Sequence, residues 1–157
     1  MESKKNNSQI EGVSIYPLNR IPDERGTIFH MMRCDDDNFK EFGEIYFKRC
    51  MPQAISGWHI HKSLILNYAV PIGWLKLVLC DLRTKSPTYK MIQEIFMGED
   101  NYILVTVPPG VANGFKAYGS YPAFLANCAT EAHSSNEMTR LDPFDSKIPY
   151  DWSLKNR

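Results

Sequence analysis

The stretch Ser56-Gly57-Trp58-His59-Ile60-His61-Lys62 places two imidazoles at alternate positions of one short segment. Side chains alternate between the two faces of a β-strand, so His59 and His61 share a face if the segment is extended. Gly57 allows backbone or ligand to approach closely just before them. The stretch therefore predicts a strand with a chemically active face. One alternative stays open, in which one histidine is a hydrogen-bonded core residue and the other is exposed.

Around this stretch the chain contains a series of short β-like runs separated by turn residues. Many short strands with regular turn signals are typical of an all-β sandwich or barrel. The predicted strands lie at 13–18, 27–32, 44–50, 55–61, 64–70, 74–81, 91–97, 102–107, 113–117 and 122–130. A single helical start is predicted at Asp35-Asp36-Asp37, where acidic residues favour a short helix that ends at Phe42.

Length and composition indicate one ordinary domain. The chain has 157 residues, and we predict a single domain at 12–157 after a mobile N-terminal segment at 1–11. Eighteen basic and 18 acidic residues argue against a nucleic-acid partner held by bulk charge. No apolar run is long enough to span a bilayer, and no signal peptide is evident, so we expect no membrane partner. Four scattered cysteines favour a reduced, cytoplasmic location.

Three further motifs connect the chain to a known family. They are Asp23-x-Arg25-Gly26, Asp81-Leu82-Arg83-x-x-Ser86-Pro87-Thr88, and Pro108-Pro109-Gly110-Val111-Ala112-Asn113-Gly114-Phe115. In this order, with the histidine strand between the first two, they resemble dTDP-4-dehydrorhamnose 3,5-epimerase and its relatives. The resemblance covers about residues 12–157. It implies a cupin-type antiparallel jelly-roll barrel with little helix, and a homodimer formed by exchange of N-terminal strands.

The resemblance also implies roles for individual residues. The family reworks 4-keto sugars on a nucleotide carrier, so a dTDP-sugar is the expected partner, with no cofactor and no metal. His59 falls at the family's base, and a neutral imidazole suits removal of a proton next to a ketone. Arg25 matches an arginine that helps to hold the nucleotide diphosphate, although pairing with Asp23 would be a purely structural role. The other expected substrate contacts are His30, Glu44, Tyr46, His61, Lys62, Asn113 and Asn127.

Several positions depart from the family pattern. The positions Ser56, Glu44, Tyr46, His30 and Asn113 stand where the family carries arginine, glutamine, asparagine, glutamate and histidine, respectively. The family's acid, a tyrosine, would fall near Asn127, and an amide cannot donate and recover a proton at accessible cost. His133 is the candidate substitute for that acid. An aspartate that orients the base in longer members would lie beyond the counterpart of Trp152 and is not expected here.

Three functions therefore compete. The favoured one is a nucleotide-sugar epimerase or isomerase acting on a 4-keto-6-deoxy sugar in surface polysaccharide biosynthesis, with an altered site. The second is a catalytically silent protein that binds a nucleotide sugar. The third is a metal-dependent cupin using His59 and His61, with His30 as a third ligand. That third function is disfavoured because the usual carboxylate position holds Ile65 or Leu66.

Overall fold

The computed structural model describes residues 8–156, which form β-strands joined by turns and contain no helix. The predicted all-β class is confirmed, and three predicted strands, 44–50, 55–61 and 74–81, have the predicted bounds. The strands are β1 (Ser14–Pro17), β2 (Arg20–Asp23), β3 (Gly26–Phe29), β4 (Glu44–Cys50), β5 (Ile55–His61), β6 (Leu66–Ile72), β7 (Trp74–Asp81), β8 (Ile92–Gly98), β9 (Ile103–Val107), β10 (Val111–Tyr118), β11 (Ala123–Ala129) and β12 (Met138–Arg140).

The strands form two five-stranded sheets and a separate hairpin. The first sheet has the order β1-β9-β6-β11-β4, and the second has the order β12-β5-β10-β7-β8. Strands β2 and β3 pair only with each other. The strand ladders are antiparallel throughout. Sequence neighbours repeatedly lie in opposite sheets, so the architecture is the predicted antiparallel jelly roll.

The main core lies between the two sheets. Strand β7 contributes Leu75, Leu77 and Leu79, which are buried in the same cluster as Val70 and Val105 of the first sheet. This is the alternation expected of a strand with one face on the core. Complete burial of each such side chain contributes roughly 1.5–3 kcal/mol of transfer free energy. The leucine face of β7 therefore holds the second sheet against the first.

The C-terminal segment covers the outer face of the second sheet. Trp58 on β5 packs there with Ile148 and Trp152, and the two indoles lie 5.1 Å apart between centroids. Lys116 on β10 donates a hydrogen bond to the Trp152 carbonyl oxygen over 3.0 Å. Because Trp58 is buried on this side, its neighbour His59 is directed to the opposite side of β5.

Gly57 is required by the close crossing of β5 and β10. Its φ is 152°, and a Cβ atom at this position would lie 2.8 Å from the Cα of Gly114. A side chain there would separate the two strands. The close contact sets the neighbouring register, in which His59 lies opposite Asn113.

The Asp81 motif forms a buried polar network at the end of β7. The Asp81 carboxylate has no exposed surface. It accepts hydrogen bonds from the Arg83 guanidinium at 2.8 and 2.9 Å and from the hydroxyls of Ser86 and Thr88, each at 2.6 Å. One side chain thus fixes three positions of the loop that leads to β8.

The helix predicted at 35–42 is wrong. The segment forms isolated turns, in which the Phe39 amide donates to the Asp36 carbonyl and the Asp36 amide donates to the Arg33 carbonyl. The Asp36 side chain accepts from the Arg33 amide at 2.7 Å, outside any helical pattern. Aspartate side chains compete in this way with helical hydrogen bonds, and so short a segment lacks the length to overcome the cost of helix nucleation.

Of the segment 1–11, which was predicted to be mobile, positions 1–7 lie outside the described residues. Positions 8–11 contact the rest of the chain. Ile10 is buried in the main core, and the Glu11 amide donates to the Thr88 hydroxyl over 3.0 Å. In residues 8–156 no helix has the length and apolar character needed to cross a membrane.

Candidate active site

An open cleft of about 400 Å³ lies between the two sheets, and we call it the polar cleft. Three of its residues come from β4, two from β6 and one from β11, so the first sheet supplies one wall. Strands β5, β10 and β12 of the second sheet supply the opposite wall. The lining residues are Glu44, Tyr46, Lys48, His59, His61, Leu64, Leu66, Tyr68, Phe115, Asn127, His133, Met138 and Arg140.

Both His59 and His61 line the polar cleft, on the same face of β5. The alternative with one core and one exposed histidine does not hold. His61 is the deeper ring, because it is only 9% exposed whereas His59 is half-buried. The reason is that Glu137, just before β12, holds His61 beneath the turn that follows β5.

Glu137 forms an anchored pair with His61. The Nδ1 atom of His61 lies 2.5 Å from one carboxylate oxygen of Glu137. The other oxygen accepts three backbone N–H groups, from Lys62, Ser63 and Leu64, at 2.9–3.1 Å. Burial alone would raise the pKa of Glu137, but the His61 and backbone hydrogen bonds outweigh it and lower that pKa. Since Nδ1 is committed to Glu137, His61 offers the polar cleft its Nε2 atom.

His59 has a different environment, because cations surround it. Burial lowers the pKa of His59 to about 4, with further lowering by Arg140, Lys48 and His61. Arg140 is its register partner on β12. Within residues 8–156 no carboxylate forms an ion pair with the His59 ring. His61, by contrast, is paired with Glu137. The His59 imidazole is therefore neutral at physiological pH and able to accept a proton.

Two tyrosines stand on the opposite wall. Tyr46 on β4 lies opposite Asn127 on β11, and Asn127 in turn lies opposite Tyr68 on β6. The Tyr68 hydroxyl donates to Asn113 Oδ1 over 3.1 Å, and Asn113 Nδ2 donates to the His59 carbonyl oxygen over 3.1 Å. A chain of polar side chains thus connects this wall to the backbone of β5 behind the polar cleft.

Asn127 carries a buried donor without a partner. Its Oδ1 atom accepts from the Asn67 amide at 3.1 Å, so the orientation of its amide group is fixed. Its Nδ2 atom has no hydrogen-bond partner within 3.5 Å among the described residues. The Nδ2 group is nevertheless close enough to the Tyr46 hydroxyl to lower the pKa of that phenol. Buried donors without partners are rare, so one beside a cleft indicates a site where charge or a ligand is received.

The structure brings together some predicted site residues and not others. Glu44, Tyr46, His59, His61, Asn127 and His133 line the polar cleft. Asn113 is completely buried behind its wall, with both amide atoms bonded within the protein. Three predicted residues, Arg25, His30 and Lys62, do not line the polar cleft of the same chain. Arg25 instead lies on the exposed β2–β3 turn and pairs with Asp23 at 2.5 Å.

Sequence reasoning missed three residues of the cleft region. Glu137 is 76 positions from His61, and no motif connects the two. Arg140 becomes a neighbour of His59 only through the pairing of β12 with β5. Tyr68 could have been found, because it alternates with Leu66 on a predicted strand and shares its face.

The hypothesis of a metal-dependent cupin requires a cluster of ligand side chains. In the part of the chain that the structure describes, no three His, Cys, Asp or Glu side chains are grouped so as to hold a metal ion. His30, the proposed third ligand, is not among the residues that line the polar cleft.

A two-sheeted antiparallel jelly roll with an open, histidine-bearing cleft between its sheets defines a cupin-type protein. The sequence profile of the dTDP-4-dehydrorhamnose 3,5-epimerase family matches residues 7–157. The chain therefore belongs to the dTDP-4-dehydrorhamnose 3,5-epimerase family.

Individual relatives agree with this membership. The spore coat polysaccharide biosynthesis protein SpsL of Bacillus subtilis (strain 168) is 30% identical over 142 residues, which cover 90% of this chain and 91% of SpsL. The crystal structure of a dTDP sugar isomerase from Desulfovibrio desulfuricans G20 is 38% identical, covers 94% of each chain and superposes with a TM-score of 0.91. RmlC from Legionella pneumophila Philadelphia 1, solved with dTDP-4-keto-L-rhamnose, shares the fold at 22% identity, with a TM-score of 0.83 over 97% of this chain and 84% of that one.

Proposed function

We propose that this protein is a nucleotide-sugar epimerase or isomerase that acts on a dTDP-linked 4-keto-6-deoxy sugar in cytoplasmic surface polysaccharide biosynthesis. The observation that carries the proposal is a neutral, half-buried imidazole, His59, that faces an open cleft beside two cations. Membership of the family and the similarity to SpsL support the substrate class and the pathway.

The proposed reaction begins with removal of a proton from a carbon next to the ketone. The His59 imidazole takes this proton, and the electron pair of the broken C–H bond forms an enolate with the carbonyl. A base must be unprotonated to act, and the lowered pKa of His59 ensures that it is. His61 is held rigidly by Glu137, so its Nε2 atom can position a sugar hydroxyl on the same wall.

The cations beside His59 suit the diphosphate of a nucleotide sugar. Lys48 and Arg140 line the polar cleft on opposite walls. Both lower the pKa of His59. A bound diphosphate would neutralise part of their charge and so raise the basicity of His59 in the complex. Binding of the anion thus strengthens the base at the moment when the base is needed.

We propose further that the protein is a homodimer in which the β2–β3 hairpin reaches the partner subunit. Strand β4 is at the edge of the first sheet, and its outward face exposes Ile45 and Phe47, the latter 67% exposed. The hairpin also exposes Ile21 and Ile28. A long apolar edge strand is a template for pairing with another chain. In the dimer, Arg25 and His30 near the hairpin would approach the partner's polar cleft.

Arg25→Ala is expected to weaken binding of a dTDP-sugar by about tenfold or more. The variant loses a charge-assisted contact to phosphate worth roughly 1.5–3 kcal/mol. Isothermal titration calorimetry measures the change. Arg33→Ala is a matched control, because Arg33 is an exposed arginine paired with Asp35 two positions away, as Arg25 is with Asp23. Equal affinity of the Arg25 variant and wild type, or a monomer in sedimentation analysis, would contradict this arrangement.

Proton NMR in deuterated buffer tests the function itself. Wild-type protein mixed with dTDP-4-keto-6-deoxyglucose should exchange at least one proton next to the ketone for deuterium. Tight binding of the sugar nucleotide without exchange would support the catalytically silent alternative, which the absence of a tyrosine at Asn127 favours.

A further inference from the structure

We propose that Tyr46 is the proton donor that completes epimerisation, delivering a proton to the carbon on the face opposite His59. This assignment rests on the proposed function. Inversion at a carbon requires that one group remove a proton from one face and another group return a proton to the other. The donor must therefore stand on the wall of the polar cleft that faces the base.

The topology places Tyr46 on that wall. Tyr46 belongs to β4 in the first sheet, and His59 belongs to β5 in the second. Lys48 shares the face of β4 with Tyr46, since the two are separated by one residue. The Lys48 ammonium reaches the second sheet, where it donates to the Ser56 hydroxyl over 2.9 Å and lies 5.2 Å from the Phe115 ring centroid. The row of β4 side chains that contains Tyr46 therefore faces the His59 wall directly.

Strand pairing accounts for the asparagine found near the expected acid. Asn127 and Tyr46 are register partners on β11 and β4. Side chains opposite each other on neighbouring antiparallel strands have Cβ atoms about 4.5–5.5 Å apart. A phenol at position 46 can thus present its hydroxyl close to the place that a phenol at position 127 would reach. The phenolic hydroxyl is thus supplied by β4, and Asn127 on β11 lies beside it.

The surroundings of Tyr46 suit a phenol that is protonated before the reaction and is stabilised as a phenolate after it donates its proton. Burial, with a smaller contribution from Glu44, raises the pKa of Tyr46 above its ordinary value, so the phenol carries its proton at neutral pH. The Asn127 amide lies close enough to Tyr46 to act in the opposite direction, lowering its pKa and favouring the phenolate. The unpartnered Nδ2 donor of Asn127 is thereby explained, because it would receive the charge left on Tyr46 after proton transfer.

The other candidate donors are less well placed. Tyr68 is completely buried, and its hydroxyl donates to Asn113. His133 lies on an exposed loop, and its ring makes no hydrogen bond to residues 8–156. Neither combines a solvent-accessible side chain at the polar cleft with a place on a strand of the first sheet, as Tyr46 does.

The proton balance closes without a further reactant. His59 accepts the proton from carbon and becomes an imidazolium, while the enolate holds the electron pair. The enolate carbon then takes the Tyr46 hydroxyl proton on its other face, which restores the ketone with inverted configuration and leaves a phenolate. Loss of a proton from His59 to water and gain of one by Tyr46 from water return both groups to their starting states.

The test separates exchange from inversion. With dTDP-4-keto-6-deoxyglucose in deuterated buffer, Tyr46→Phe should still exchange the proton that His59 removes, because the base can return a deuteron to the same face. Formation of the inverted sugar should fall by about 10²–10⁴-fold, the usual contribution of a positioned acid. Tyr121→Phe removes a phenolic hydroxyl from a loop where the side chain is exposed, with 81% of the residue accessible, and should leave both rates unchanged.

Other outcomes overturn the assignment in distinguishable ways. Inversion at the wild-type rate in Tyr46→Phe excludes Tyr46 as the donor, and selective loss of inversion in His133→Asn transfers the role to His133. Loss of exchange and inversion together in a folded Tyr46→Phe protein would mean that Tyr46 serves binding and not proton donation. Absence of exchange in the wild-type protein would instead refute the proposed function, and the donor assignment with it.

Discussion

His59→Asn is expected to reduce solvent exchange at the carbon next to the ketone by at least 10²–10⁴-fold, the typical contribution of a positioned general base. Asparagine has a similar shape and keeps a polar group in the polar cleft, but it cannot accept the proton. The rate is read from the loss of the substrate proton signal in deuterated buffer. Unchanged thermal melting of the variant would show that the loss is chemical.

His61→Asn is the matched control, because it removes the other imidazole on the same face of β5. We expect this variant to weaken sugar positioning and to retain measurable exchange. The two histidines differ in their partners, since Glu137 anchors His61 and cations flank His59. If exchange survives in His59→Asn and disappears in His61→Asn, then the anchored His61–Glu137 pair is the base and the proposed roles must be reversed.

The pH dependence of exchange gives an independent check on His59. A base acts in its neutral form, so kcat/KM should fall only as pH drops toward the lowered pKa of about 4 in the free enzyme. An ordinary histidine would lose activity below about pH 6.5. Replacing Arg140 by glutamine removes one of the cations that lower this pKa. In this variant the fall of kcat/KM at acid pH should therefore begin at a higher pH than in the wild type.

Asp81→Ala is expected to have the largest effect on stability, at about 3 kcal/mol, the lower end of the range for breaking a buried charged pair. The variant leaves Arg83, Ser86 and Thr88 without the carboxylate on which their hydrogen bonds converge. We place the effect at the lower end because Arg83 is partly accessible to water and can be rehydrated. For a domain of this size the melting temperature should fall by about 6–12 °C.

Asp100→Ala serves as the control for Asp81→Ala. Its side chain is 72% exposed and lies 4.0 Å from Arg20, so its loss should cost less than about 1 kcal/mol. An equal loss of stability in the two variants would mean that the Asp81 network is not a main determinant of stability.

The Asp81 network also predicts how stability depends on pH. Burial alone would raise the pKa of Asp81, but the hydrogen bonds from Arg83, Ser86 and Thr88 outweigh it and lower that pKa strongly. A carboxyl whose folded-state pKa is lowered contributes its full stabilisation above its unfolded pKa of about 4 and loses it as pH falls further. The free energies of unfolding of wild type and Asp81→Ala, measured by chemical denaturation over a range of pH, should therefore differ by a constant amount above about pH 4. The two values should converge below that pH.

Local sequence determined much of the fold and the chemistry of β5. Alternation put Leu75, Leu77 and Leu79 on one face of β7, and a fixed period of two placed His59 and His61 on one side of β5. Both results depend only on the geometry of an extended chain. The same local reasoning failed at 35–42, because the competition between the Asp36 side chain and helical hydrogen bonds is decided by atomic contacts that composition does not specify.

The sequence by itself thus determined most of the strands, their inward faces and the histidine pair, because each follows from periodicity within a few residues. Only the tertiary structure decided which distant groups meet those histidines. It brought Glu137 to His61 across 76 positions, paired Arg140 with His59, and set Tyr46 beside Asn127. Strand order in a sheet is fixed by the packing of the whole core, so pairings between remote strands leave no local signal. The different pKa values and partners of the two imidazoles follow from those pairings, and so does the candidate proton donor on the opposite wall.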